Sequence, residues 1–169
     1  MRKLIPVALA ALCSLASLGV MAQAKIAVVD TMRVAGESKY GLKIQSQLKS
    51  FHDQKQGEIT TREADLKALE EKAKDPKISD DKKDELRSQF NQKMYEYQAF
   101  AKAAQDEMEA RSQKMQADFQ EKLQGVIGQY AQSKGYAMVL EKSICLYNAE
   151  ALDITQEVIA ALNQAYPGT

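Results

Sequence analysis

The stretch Lys74-Asp75-Pro76-Lys77-Ile78-Ser79 is the one break in a polar, heavily charged run from Ile44 to Tyr130 whose apolar residues otherwise return at helical intervals. Proline lacks the amide that a helix interior needs and drives the residue before it out of helical space. One helix is therefore expected to end near Lys74. Ser79, followed closely by acids, is suited to cap the next. Two long helices joined by so short a connection favour an antiparallel hairpin over 41–134 with its tip near 74–79.

The second arm carries the clearer period. Leu86, Tyr97, Met108, Phe119 and Tyr130 are spaced eleven apart, as are Ala104, Met115 and Val126, and Phe90, Ala101, Ser112 and Leu123. Eleven residues in three turns is about 3.67 per turn, so the seam stays on one face with little left-handed supercoiling. At 1.5 Å per residue an arm from Ser79 to Lys134 reaches about 80 Å. The first arm has a stripe of Ile44, Leu48, Phe51, Ile59, Leu66, Leu69 and Ala73. Lys55 and Arg62 fall where apolar residues are expected and Gly57 lowers helix propensity beside them, so the middle of the hairpin is expected to flex.

At the N-terminus, basic Met1-Arg2-Lys3, an apolar run from Leu4 to Val20 and Ala22-Gln23-Ala24 predict a signal peptide over 1–24. Cleavage after Ala24 makes Lys25 the mature start; cleavage after Ala22 is the alternative. Cys13 follows Leu12, where a lipoprotein site needs a small residue, so lipidation is not expected. No stretch after Lys25 approaches the length of a spanning helix. Without Arg2 and Lys3 the chain holds 21 basic against 23 acidic side chains, a balance that does not point to nucleic acid. Cys145 is then the one cysteine, so no internal disulfide forms, and its flanks Ile144 and Leu146 favour a buried, inert thiol.

The remaining residues, 25–40 and 135–169, read as one β-rich body. Lys25 to Asp30 and Tyr136 to Glu141 are expected strands, and Lys142-Ser143 is expected to turn into a third, Ile144 to Tyr147. Lys134-Gly135 ends the second arm with a cation and a left-handed cap. Gly125 and Gly128 lie near the base of that arm, where a missing side chain admits a close neighbour. Asp153 and Gln156 have the spacing of a capping box for a last helix with Val158, Ile159 and Leu162 on its apolar face, stopped by Pro167-Gly168. The fold class is α+β. Three short strands leave edges that need partners, and Ile26, Val28, Met138, Leu140, Ile144 and Leu146 are the candidates to join copies of the chain, in a cyclic assembly.

These residues resemble the OmpH family of periplasmic chaperones, the Skp chaperones. The resemblance runs from the opening Lys25-Ile26-Ala27-Val28-Val29-Asp30 through the charged hairpin to Gly135-Tyr136, Met138 to Ser143, Leu146-Tyr147-Asn148, Asp153-Ile154-Thr155 and Val158 to Asn163. It implies a homotrimer whose strands form a small barrel-like body from which three helical arms surround a cavity. It implies an ATP-independent holdase in the periplasm that keeps unfolded outer-membrane β-barrel proteins from aggregating. Well-known members are basic, whereas Gln45 to Gly125 here carries about 15 basic and 17 acidic residues. Contact with a membrane or with lipopolysaccharide therefore stays open. Only the tip leans basic, through Lys72, Lys74, Lys77, Lys82 and Lys83 around Pro76.

Tyr95, nearly opposite the seam, and Phe100, at its edge, are candidates to face a client; the alternatives are an ordinary exposed tyrosine and a phenylalanine packed on the first arm. Met94, Met108 and Met115 offer adaptable contacts or fill the seam. An enzyme is not indicated: the single histidine, His52, has no second ligand near it, no nucleophile triad is apparent, and neither a glycine-rich phosphate loop nor any other cofactor motif is present. The competing reading is a structural or adaptor protein of the envelope whose arms bind one folded partner.

Overall fold

The computed structural model describes residues 24–168; the expected signal peptide lies, apart from Ala24, outside the described residues. The chain runs β1 (Lys25–Val29), α1 (Thr31–Glu37), α2 (Lys39–Ala73), α3 (Asp80–Lys134), β2 (Tyr136–Glu141), two single 3-10 turns (Lys142–Ile144 and Glu150–Leu152) and α4 (Thr155–Ala165). Helices α2 and α3 pair along their length as the expected hairpin. Its tip is a compact turn in which the Asp75 carboxylate accepts from the Lys77 amide at 2.9 Å, and Ser79 caps α3 by accepting from the Lys82 amide. Asp80 and Asp81 stand in the first turn of α3, where acids complement the helix dipole. At the other end Gly135, with φ +70°, closes α3 in the left-handed conformation that glycine adopts without strain.

The excursion through the hairpin returns the chain to where it left, so β2 lies parallel to β1, with Ile26 opposite Met138 and Val29 opposite Glu141. Helix α1 is an element the sequence analysis does not anticipate. Asp30 caps it by accepting from the Arg33 amide, and the residue immediately after it, Ser38, fully buried, caps α2 by accepting from the Gly41 amide. Gly41 lies so close to α1 that an added Cβ would stand 2.0 Å from the Ala35 carbonyl oxygen. The body core joins Ala27 and Val29 of β1, Val34 of α1, the α3 base through Phe119, Leu123 and Val126, and α4 through Val158, Ile159 and Leu162. The core thus belongs to the hairpin base as much as to the strands.

Two local expectations are corrected. Ile144 to Tyr147 is not a strand: the chain leaves β2 in a 3-10 turn, the Cys145 amide donating to the Lys142 carbonyl at 3.0 Å, and continues irregularly. A strand needs a neighbour's backbone, and among the described residues no segment of the same chain pairs with this one. Asp153 and Gln156 do not form a capping box either. Helix α4 begins one residue later, with Ile154 at its cap position, and Gln156 donates to Glu37 instead. Asp153 still accepts from the Thr155 amide at 3.0 Å, at the first residue of α4, and is held besides by Lys142 at 2.6 Å and by a bridge between its backbone and Val28.

Candidate functional site

Two surfaces stand out, one on the arms and one on the body. Near the base and towards the tip the arm seam is filled by apolar side chains, with Phe119 and Leu123 at one end and Leu66 and Leu86 at the other. Between them the seam changes character. Lys55 places its ammonium 5.2 Å from the Phe51 ring and 5.5 Å from the Phe100 ring, and pairs with Glu107 at 3.0 Å. Arg62 lays its guanidinium 4.2 Å over Phe100, and Arg111 lies 4.7 Å over Phe51. The two residues that interrupt the apolar stripe are therefore seated on aromatic faces, where the ring quadrupole attracts a cation. Farther out the arms are tied by polar contacts, Tyr97 donating to Glu63 at 2.8 Å and Lys93 pairing with Asp65 at 3.1 Å.

Beside this cation and ring cluster the arms do not meet fully. A groove of about 600 Å³ opens between them, lined by Phe51, Ile59, Ala101, Ala104 and Met108 and bordered by polar residues that include His52 and Glu109. Small side chains at Ala101 and Ala104 create it. Met108, a sequence candidate, lines the groove, while Met94 is half-buried and Met115 lines a second depression on α3. Tyr95 stands 75% exposed. Phe100 is half-buried between Lys55 and Arg62, on the first arm. The tip is less basic than its lysines suggest, since Lys74, Lys82 and Lys83 pair with Glu70, Glu85 and Asp80. Lys77 and Pro76 are exposed in the turn.

On the body, Ile144 (71% exposed), Leu146 (fully exposed) and Tyr147 (86% exposed) project from the segment after β2, and Ile26 and Met138 are also exposed. Leu140 is half-buried and Val28 is buried in the chain's own core. The projecting segment is clasped at both ends. Lys142 pairs with Asp153 across it, and the Ile154 amide donates to the Val28 carbonyl at 2.9 Å. Burial would raise the Asp153 carboxyl, but hydrogen bonds from Lys142 and Thr155 outweigh it and bring the group down to about 2. Among the described residues no cluster of potential metal ligands occurs and no helix is long and apolar enough to cross a membrane.

A sequence model of the family described as Outer membrane protein (OmpH-like) matches residues 25–162, nearly all of the described chain. The chain belongs to the OmpH-like family. This OmpH-like chain also superposes on the crystal structure of a Caulobacter crescentus CB15 protein assigned as an outer membrane chaperone (OmpH-like), with TM-score 0.76 and 24% identity over 85% of this chain and 86% of that one. At that identity the likeness is one of fold, and it covers the body and the hairpin together. No curated protein matches the sequence significantly.

Proposed function

We propose that this OmpH-like chain is an ATP-independent holdase of the periplasm, exported by residues 1–24, that receives unfolded outer-membrane β-barrel proteins between its helical arms and keeps them from aggregating. The observation that carries the reading is the mid-arm groove, an apolar trough with Met108 on its wall and charges along its rim. An unfolded β-barrel protein exposes alternating apolar side chains and unpaired backbone, which in water pair between molecules. Many weak contacts along a charged arm compete with that pairing without imposing a fold on the client. Binding the unfolded state shifts its equilibrium by mass action alone and needs no nucleotide.

The exposed apolar row on the body supports self-association, and three copies would place three arms around a shared cavity. Tyr95, Met94, Phe100 and Met108 are the arm residues assigned to client contact. The seam around Lys55, Gly57 and Arg62, held by cations on rings, lets the arms bend to clients of different size.

The test is dilution of a urea-unfolded outer-membrane β-barrel protein into the purified chain, with turbidity recorded in the absence of nucleotide. Suppression at about one trimer per client, lost when the hairpin is cut back, supports the holdase. Unchanged aggregation by an assembled protein sinks it and favours an envelope adaptor.

A further inference from the structure

Helix α2 joins the body through a single residue, Ser38, so the covalent chain leaves the direction of the arm open. Its first turn is gripped from outside by the far end of α4. The Lys39 amide, one of the donors that a helix start leaves without a partner, is taken by Asn163 Oδ1 at 2.7 Å. Tyr166, the residue after α4, sets its ring 5.4 Å from that of Tyr40, which stacks in turn on Phe119 of α3 at 6.2 Å. Lys122 of α3 brings its ammonium 5.0 Å from the Tyr40 ring and 5.6 Å from the Tyr166 ring, and pairs with Asp118, the acceptor of the Tyr40 hydroxyl. Gly168 then lies on the first residue of α2: it has φ +78°, and an added Cβ would stand 3.0 Å from the Lys39 Cβ. Residues 163–168 thus touch both helices of the hairpin where it leaves the body.

The two arm helices are anchored unequally. Helix α3 puts Phe119, Leu123 and Val126 into the body core, whereas among the described residues no fully buried member of that core comes from α2; Tyr40 and Ile44 only pack against its edge. The apolar face of α4, Val158, Ile159 and Leu162, is already buried in the core, so the contacts of 163–168 are additional to it. We infer that residues 163–168 form a strap across the root of the arm, in which Tyr166 is the positioning residue that fixes the angle of the arm to the body and so the room a client finds beside it. The inference rests on the reading above that the arms receive clients. Asn163 and Gly168 reach α2 alone, while Tyr166 meets α2 through Tyr40 and α3 through Lys122. Leverage makes the root decisive. Helix α2 has 35 residues. It is therefore about 50 Å long, and a tilt of about 10° at the root moves its far end by about 9 Å.

The experiment uses the chain from Lys25 carrying C145S, with spin labels at G36C on α1 and Q98C on the arm, both exposed positions. Labelled chain is diluted into unlabelled chain so that double electron–electron resonance reads distances within one copy. With Tyr166 in place a narrow distribution is expected. Y166A is expected to broaden it and shift it by several Å at unchanged helix content, and Y166F, which keeps the ring, to restore it. G168V, which pushes the tail off Lys39 and leaves the core alone, is expected to broaden it as well, and decides the matter if Y166A loses helix content. Unmoved distributions in the folded variants overturn the strap. Turbidity is then recorded with a small and a large unfolded β-barrel protein, and Y166A is expected to need about twofold more protein for the small one. Curves unmoved by Y166A overturn the link between strap and client and leave the holdase reading intact. Failure of the parent chain to suppress aggregation overturns the holdase reading itself, which the distances do not touch.

Discussion

The Arg62 guanidinium lies 4.2 Å from the centre of the Phe100 ring across the arm seam, with its Nε buried and without an acceptor. A buried donor left unsatisfied costs about 1–3 kcal/mol, against about 0.5–2 kcal/mol recovered from the ring. The contact is close to break-even and marks the weakest part of the arm. R62L is expected to stabilise the hairpin by about 1 kcal/mol, and F100A to destabilise it by about 1–2 kcal/mol. Amide exchange around residues 55–62 and 100–107 checks both: slower in the first variant, faster in the second. A wild-type segment already as protected as the strands would sink the view that the arms bend here.

The glycines at positions 41 and 57 stand in opposite surroundings. At Gly41 a methyl group would stand 2.0 Å from the backbone oxygen of Ala35, while at Gly57 it would meet nothing within 4 Å. G41A is expected to cost about 3 kcal/mol because α1 and α2 must move apart. G57A is expected to stabilise the arm by about 1 kcal/mol through helix propensity. Urea unfolding followed by helix content distinguishes them, and equal midpoints for the two variants would contradict the close packing at the α1–α2 corner.

Asp153 gives the body an acid dependence. Its carboxyl is lowered to about 2 from an ordinary value near 3.8, so the charged form is the one the folded state favours. The stabilisation is therefore present above about pH 4 and disappears as pH falls towards 2, on the order of 2 kcal/mol in all. D153N is expected to lower stability at pH 7 and to flatten the stability profile between pH 4 and 2. A profile unchanged by the substitution would show that the Lys142 clasp contributes nothing.

Tyr95, 75% exposed on α3, separates function from folding. Y95S is expected to leave the thermal midpoint within the range of ordinary surface changes, about 0.5 kcal/mol. It is expected to raise about twofold the amount of protein needed to suppress aggregation of an unfolded β-barrel client. Identical suppression curves would remove Tyr95 from the client surface.

The hairpin was readable because its determinants are local. Pro76 excludes a helix, Ser79 accepts from an amide three residues on, Gly135 takes a positive φ, and the eleven-residue spacing puts Leu86, Ala104, Phe119, Leu123 and Val126 where they are buried. Helix α1 was less readable, since its seven residues are too few to show a period. Its only signals are the caps, Asp30 before it and Ser38 after it.

Other features depend on contacts distant in sequence. Ile144 to Tyr147 has a strand's composition, but a strand's hydrogen bonds are made to another backbone, and the described residues of the chain supply none there. Asp153 and Gln156 have the right spacing for a capping box, yet Asp153 accepts from the Thr155 amide and from Lys142, while Gln156 turns away to Glu37, distant in sequence. Lys55 and Arg62 look like faults in an apolar stripe until the register of the two arms sets Phe100 against both. By itself the amino-acid order determined the two long helices, their turn and the apolar face of α4, because these follow from the conformational preferences of neighbouring residues. Which cations the seam accommodates, and which apolar residues of the body stay uncovered, was decided only when the hairpin brought its two arms and two ends together.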